Sequence, residues 1–187
     1  MRIHSAFDVA QPLDEVWRFF DDVPQVAACL PGADLTEELG DDTYGGTVAI
    51  RMGPVRLQFA GTAAIVERDE ADRRIVVDAS GADEKGRGQA AMEVTARLSD
   101  NGGGTTVSLD QDLKLSGAAA QYGRGMVADV TSVLMDQFAT TMQARMQGDV
   151  AADPQAASGL AIGLRALRMA LARVARRFFL PYRPEAV

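Results

Sequence analysis

The amino-acid sequence predicts an α+β fold: a curved, antiparallel, seven-stranded sheet wrapped around a long C-terminal helix. Three observations carry this expectation. From Ala33 to Gly117, apolar residues recur at every second position in six segments separated only by short turn-forming stretches. Immediately afterwards, residues 118–147 carry apolar side chains at helical spacing. Before them stand one further alternating segment and two short helical ones.

Each element has a local reason. Residues 2–9, RIHSAFDV, read as the first strand. QPLDEVWRFFDD follows, with Pro12 in an opening turn that has no use for its missing N–H, and with Leu13, Val16, Trp17, Phe19 and Phe20 giving an apolar face. In VPQVAACLPG, Pro24 opens a second short helix that must stop at Pro31 and Gly32. The six alternating segments are ADLTEEL, TYGGTVAIRM, VRLQFAGTAAIVERD, RRIVVDASG, RGQAAMEVTARL and TTVSLDQDLKLSG. The intervening GDD, GP, DEAD, ADEKG and SDNGGG are turn chemistry, and connections this short join antiparallel neighbours. The first strand can add at an edge. AAAQYGRGMVADVTSVLMDQFATTMQARMQ, from Ala118 to Gln147, reads as one long helix with Met126, Val130, Val133, Leu134, Phe138 and Met142 at helical spacing. This order of elements is the helix-grip architecture, in which sheet and helix commonly leave an apolar, ligand-holding cavity. GDVAADPQAAS, residues 148–158, is small, polar and broken by Pro154. The expected organisation is therefore a hydrophobic-ligand-binding domain over 1–147, a flexible linker over 148–158 and a basic amphipathic tail over 159–187.

Composition bounds the chemistry. With 187 residues, 47% of them hydrophobic, the chain can bury one substantial core. Its net charge of -7 is unevenly spread: from Gly159 onward six arginines face Glu185 alone, which leaves -12 on the remainder. An acidic body argues against wrapping nucleic acid, and a basic tail points to an anionic partner. Cys29 and His4 are the only residues of their kinds, so no intrachain disulfide, zinc cluster or histidine-dependent triad can be assembled, and no metal is expected. Cys29, in CLPG, has no neighbouring base to activate it. The GRG patterns at 86–88 and 123–125 lack the context of a phosphate-binding loop. The carboxylate groups Asp21/Asp22, Asp41/Asp42, Asp69/Glu70/Asp72 and Asp83/Glu84 fall in turns and read as solubilising surface. The sequence has no stretch of about 18 apolar residues and no signal-like start, so a cytoplasmic body is expected.

Alternation assigns a candidate ligand-binding face. If Leu57 and Phe59 point inward, Val55, Gly61, Ala63 and Ile65 go with them. Tyr44, Val48, Ile50 and Met52 line the preceding strand, and Met92, Val94 and Leu98 a later one. The last strand contributes Leu109, Gln111 and Leu113, and the helix Met126, Val130, Leu134 and Phe138. Gln111 stands out, because an amide among apolar side chains needs a partner; backbone, water or a ligand carbonyl could each supply it. Gly45, Gly46, Gly61, Gly86, Gly88, Ala90 and Ala91 serve either to bend the sheet or to leave room. No catalytic residue is assigned. A rival reading as a helix-grip enzyme of the cyclase type would use Asp112 or Tyr44, but alternation puts Asp112 on the outer face.

Several separate motifs agree in order along residues 1–147. CLPGADL at 29–35, the glycine-proline turn in VAIRMGPVRLQFAG at 48–61, the GADEKGRGQA loop at 81–90 and the LSGAAAQYGRGMV junction at 115–127 resemble the family of the carbon monoxide dehydrogenase G subunit, CoxG, within the SRPBCC, START and Bet v 1-like helix-grip group. The resemblance implies a non-catalytic accessory protein. It implies association with a molybdenum hydroxylase-type carbon monoxide dehydrogenase and a part in attaching that enzyme to the cytoplasmic membrane. It also implies an apolar ligand, for which a respiratory quinone or another isoprenoid is the expectation; no covalent cofactor is expected. A general lipid or quinone carrier without a dehydrogenase partner is the other non-enzymatic reading.

The tail supplies the membrane expectation. On a helix, Leu160, Leu164, Leu167, Leu171, Val174 and Phe178 form one narrow stripe. Arg165, Arg168, Arg173, Arg176 and Arg177 fall on its flanks and back, with Phe178, Phe179 and Tyr182 as interfacial aromatics. Such a helix can lie in a membrane interface with its arginines at lipid phosphates, each worth roughly 1 kcal/mol near an anionic surface. Docking on a partner protein or on its own domain are the alternative readings. The expected location is peripheral, on the inner face of the cell membrane.

Overall fold

A computed structural model of the chain describes residues 1–52, 55–121 and 123–148. The linker and tail readings at 149–187 lie outside the described residues. The element order is β1 (Arg2–Val9), α1 (Leu13–Asp21), α2 (Val23–Ala27), β2 (Ala33–Gly40), β3 (Thr43–Met52), β4 (Val55–Asp69), β5 (Arg74–Asp83), β6 (Gly88–Asp100), β7 (Thr105–Gly117), a 3-10 turn (Ala118–Gln121) and α3 (Arg124–Met146). The seven strands form one antiparallel sheet in the order β1-β7-β6-β5-β4-β3-β2. Thus β2 to β7 are a meander, as their short turns require, and β1 returns to the edge beside β7.

The two short helices form where their punctuation predicts. The Pro12 carbonyl accepts from Glu15 N and Val16 N to start α1, whose Val16, Trp17 and Phe19 are buried. Asp22 caps α2 by accepting from Gln25 N at 3.1 Å. The chain then turns at Gly32, with φ +80°, and the Gly32 carbonyl accepts from Ala49 N at 2.8 Å. A Cβ at Gly32 would lie 2.3 Å from the Ala49 oxygen, so only glycine lets this turn clasp β3.

The long helix differs from expectation at its start. Residues 118–121 are a separate 3-10 turn, and α3 begins at Arg124 after Gly123. The left-handed Gly117 and the weak helix former Gly123 break the segment that its apolar content suggested would be continuous. The helical phase differs too. Val127, Phe138 and Met142 are the buried positions of α3, which rotates Met126 and Val133 onto an exposed flank. One residue is 100° of helix, and with Val127 turned into the core Met126 falls on the exposed flank.

Candidate functional site

The inner face follows the register of the sheet. Phe59 pairs with Val48 and Asp83, Gly61 with Gly46 and Gly81, Ala63 with Tyr44 and Ala79, and Ile65 with Val77. Beyond β5, Ala79 pairs with Met92 and Val77 with Val94, which continue to Leu113 and Gln111 on β7. Residues expected from alternation to share a face therefore do so across five strands.

Two apolar clusters form over this face. The first joins α1, Cys29, the C-terminal half of α3 and the inner residues Ile75, Ala96, Leu98, Val107 and Leu109. Phe138 and Val94 belong to it, and Phe138 meets Phe7 edge to face at 5.8 Å. The second joins Leu57, Ala119 and Val127 with Ile50, Phe59, Leu113 and Val130. Tyr44, Val48, Met92, Gln111 and Leu134 belong to neither cluster. Met126 lies on the exposed flank of α3, 46% exposed, and not in the interior assigned to it. Met52 ends β3, and its side chain lies outside the described part of the chain.

Gln111 sits at the join. Leu109 on one side of it along β7 belongs to the first cluster and Leu113 on the other to the second, while its register partners are Val94 and Ile3. The residue is only 6% exposed, and its Nε2 is wholly buried with no hydrogen-bond partner among the described residues. A buried donor left unmatched in this way costs about 1–3 kcal/mol.

The face is not covered evenly. The backbone of α3 runs nearest β1, at the opposite edge of the sheet from β2 and β3, while its Val127 and Val130 pack with Leu57, Ile50 and Phe59. On the β3 and β4 side, Tyr44, Ile50 and Phe59 are only half-buried, and Val48 is 37% exposed although its register points it inward. The apolar side chains there are only partly covered, although Ile50 and Phe59 pack in one cluster with Val130 of α3. A separate trough of about 510 Å³ lies on the opposite, outer face, where Thr62, Ser80, Gln89, Lys114 and Ser116 line it.

Asp83 corrects the surface reading of the turn carboxylates. It continues the inward alternation of β5 and is buried. Its carboxylate accepts from Gln58 N at 3.2 Å, Lys85 N at 3.1 Å and Arg87 N at 3.2 Å. It also accepts from Arg87 Nε at 2.8 Å and Arg87 Nη2 at 2.7 Å, and that guanidinium reaches the Arg56 carbonyl at 2.9 Å. The Arg87 side chain, and then the backbone donors, hold the Asp83 carboxyl well below the usual carboxylate range. The signal was available in sequence: Asp83 is two residues beyond Gly81 on the inward face, with an arginine four residues later.

The other chemical candidates stay quiet. Burial pushes the Cys29 thiol up, only partly offset by Arg145, and its Sγ donates to the Gln25 carbonyl at 3.3 Å. Burial, followed by the nearby Glu38 and Asp42, also raises the Tyr44 phenol, which keeps a protonated hydroxyl. Asp112 is on the outer face, where it accepts from the Met1 ammonium at 3.1 Å. His4 is outside too, bonded to Asp110 at 2.9 Å. No metal-binding cluster occurs among the described residues, and none of their helices is long and apolar enough to cross a membrane.

Comparison with solved structures finds the same fold at low identity. A conserved protein from Geobacillus kaustophilus superposes with a TM-score of 0.71 at 19% identity, over 79% of this chain and 96% of that one. The Zhui aromatase/cyclase from Streptomyces sp. R1128 gives 0.58 at 17% identity, over 82% and 98%. A protein from Thermus thermophilus gives 0.56 at 15%, over 80% and 99%. These likenesses establish the helix-grip fold alone. No curated protein sequence matches the chain. Residues 6–147 match the family described as the G subunit of carbon monoxide dehydrogenase, so three quarters of the sequence, including the strands and helices described above, belongs to the CoxG family.

Proposed function

We propose that the protein is a non-catalytic accessory protein of a molybdenum hydroxylase-type carbon monoxide dehydrogenase. It holds a hydrophobic ligand, by preference a respiratory quinone, and its tail tethers it to the inner face of the cell membrane. The observation that carries this reading is the partly uncovered apolar face of β3 and β4. Large apolar side chains are left half-exposed on the inward face of the sheet, where a soluble domain gains by covering them. An isoprenoid chain is an apolar cover of suitable shape, and a quinone would link a soluble dehydrogenase to an acceptor in the membrane. Family membership supports the accessory role. The arginines from Arg165 to Arg177 support the tether.

Two measurements test the two halves. Mass spectrometry of an organic extract of the purified full chain is expected to find a quinone in near-stoichiometric amount; an extract without any lipid-soluble compound would count against the carrier. Vesicles containing anionic lipid are expected to pellet the full chain in low salt and to release it in high salt. Replacing Arg165, Arg168, Arg173, Arg176 and Arg177 by glutamine should abolish pelleting. Equal pelleting of both forms would remove the tether, and failure of the purified dehydrogenase to retain the protein on a column would remove the partner.

A further inference from the structure

Gln111 places an unmatched donor where nothing in the fold needs one. Its neighbours along the strand, Leu109 and Leu113, and across the sheet, Val94 and Ile3, offer no acceptor side chain. A leucine or methionine would join the two clusters without leaving a buried amide. Between Gln111 and the exposed Val48 the inner face carries Val94 and Met92 on β6 and then the small residues Ala79, Ala63, Gly61 and Gly46. Four strand spacings separate β7 from β3, roughly 19 Å before curvature. This stretch of the inner face thus has a polar, buried end at Gln111 and an apolar, exposed end at Val48.

We propose that Gln111 determines ligand specificity: its Nε2 donates to a carbonyl or ether oxygen at the inner end of an otherwise apolar molecule, whose chain runs outward to the rim at Val48. This deepens the hydrophobic-ligand reading above and rests on it. The ligand class is an apolar chain with an acceptor-bearing head group that enters head first. A plain hydrocarbon would cover the apolar face and leave the donor unmatched, so discrimination comes from the amide rather than from shape.

A matched pair of probes tests the assignment. One is 2-methyl-3-geranyl-1,4-naphthoquinone and the other the naphthalene hydrocarbon of the same skeleton, each read on the full chain by displacement of a fluorescent naphthylamine. The native protein is expected to favour the quinone by about tenfold or more. Gln111→Met should bind the hydrocarbon as tightly as the native protein does while its preference falls to near one. It should also melt at or above the native temperature when empty, because an unmatched buried amide has gone; this separates lost selectivity from a damaged fold. An unchanged preference in Gln111→Met, or no preference in the native protein, would overturn the assignment while leaving the carrier intact. If the native protein takes up neither probe, the carrier reading falls and this one with it.

Discussion

Asp83 and Gln111 both lie on the inward face of the sheet, and burial treats them differently. Asp83 is saturated: three backbone N–H groups and two guanidinium donors surround its carboxylate. Gln111 retains an amide nitrogen unmatched among the described residues. A carboxyl whose folded pKa is depressed stabilises the fold above its unfolded value, near 4, and that stabilisation is lost as pH falls toward the folded value. Asp83→Asn should therefore lower the melting temperature at pH 7 by about 5 °C or more and flatten the fall in stability between about pH 5 and pH 2. Thermal unfolding followed by circular dichroism across that range checks it; parallel curves for the two proteins would show that Asp83 is not the dominant group. A residual slope of the same sign is expected from Asp110 and Asp112, lowered chiefly by His4 and by the Met1 ammonium respectively.

Elements impose their own constraints, first through backbone approach. A Cβ at Gly61 would stand 2.0 Å from the Ser80 carbonyl oxygen and 2.5 Å from the Gly81 Cα, so β4 and β5 can coil together here only with glycine. This decides the role of Gly61 in favour of bending the sheet, with the absence of a side chain on the inner face as a consequence. Gly61→Ala should cost about 3 kcal/mol in urea unfolding, at the upper end for overpacking. In α3 the test is of phase: Val127→Ala should cost about 2 kcal/mol and Met126→Ala less than about 0.5 kcal/mol. Equal costs would mean that the helix sits in another rotation. The α1 helix is fixed from outside as well, since Arg73 stacks over the Trp17 ring at 5.3 Å and bonds to Asp14 at 2.5 Å.

At the scale of the described domain, coverage of the inner face is uneven: the first cluster fills the side toward β1, while the second buries Leu57 on β4 but leaves Ile50, Phe59 and Tyr44 partly exposed and Val48 exposed. Val48, at the open rim, contributes little to the core. Val48→Arg is accordingly expected to leave the urea midpoint within experimental error and to lower quinone uptake by tenfold or more, read as retained quinone per mole of purified protein. Full retention by this variant would place the ligand elsewhere, for example in the outer trough near Lys114. Phe138→Ala should do the reverse in stability, costing about 3–5 kcal/mol, because Phe138 is a buried member of the first cluster.

Sequence alone determined the strand count, the meander and which residues share the inner face, because alternation and short turns leave an antiparallel sheet almost no freedom of register. It also isolated Gln111, since one polar residue in an apolar run is visible without coordinates. It did not determine the helical phase of α3, where apolar residues occur on more than one flank and only packing chose Val127 over Met126. Asp83 is a mixed case: its place in the inward alternation of β5 marks it in sequence, but its burial depends on Arg87 folding back across the turn. Tertiary structure alone decided that the backbone of α3 runs nearest β1, leaving Val48 exposed, and that the Gln111 Nε2 is enclosed without a partner among the described residues. Periodicity is a property of one chain segment; coverage and hydrogen-bond matching arise only when segments distant in sequence meet.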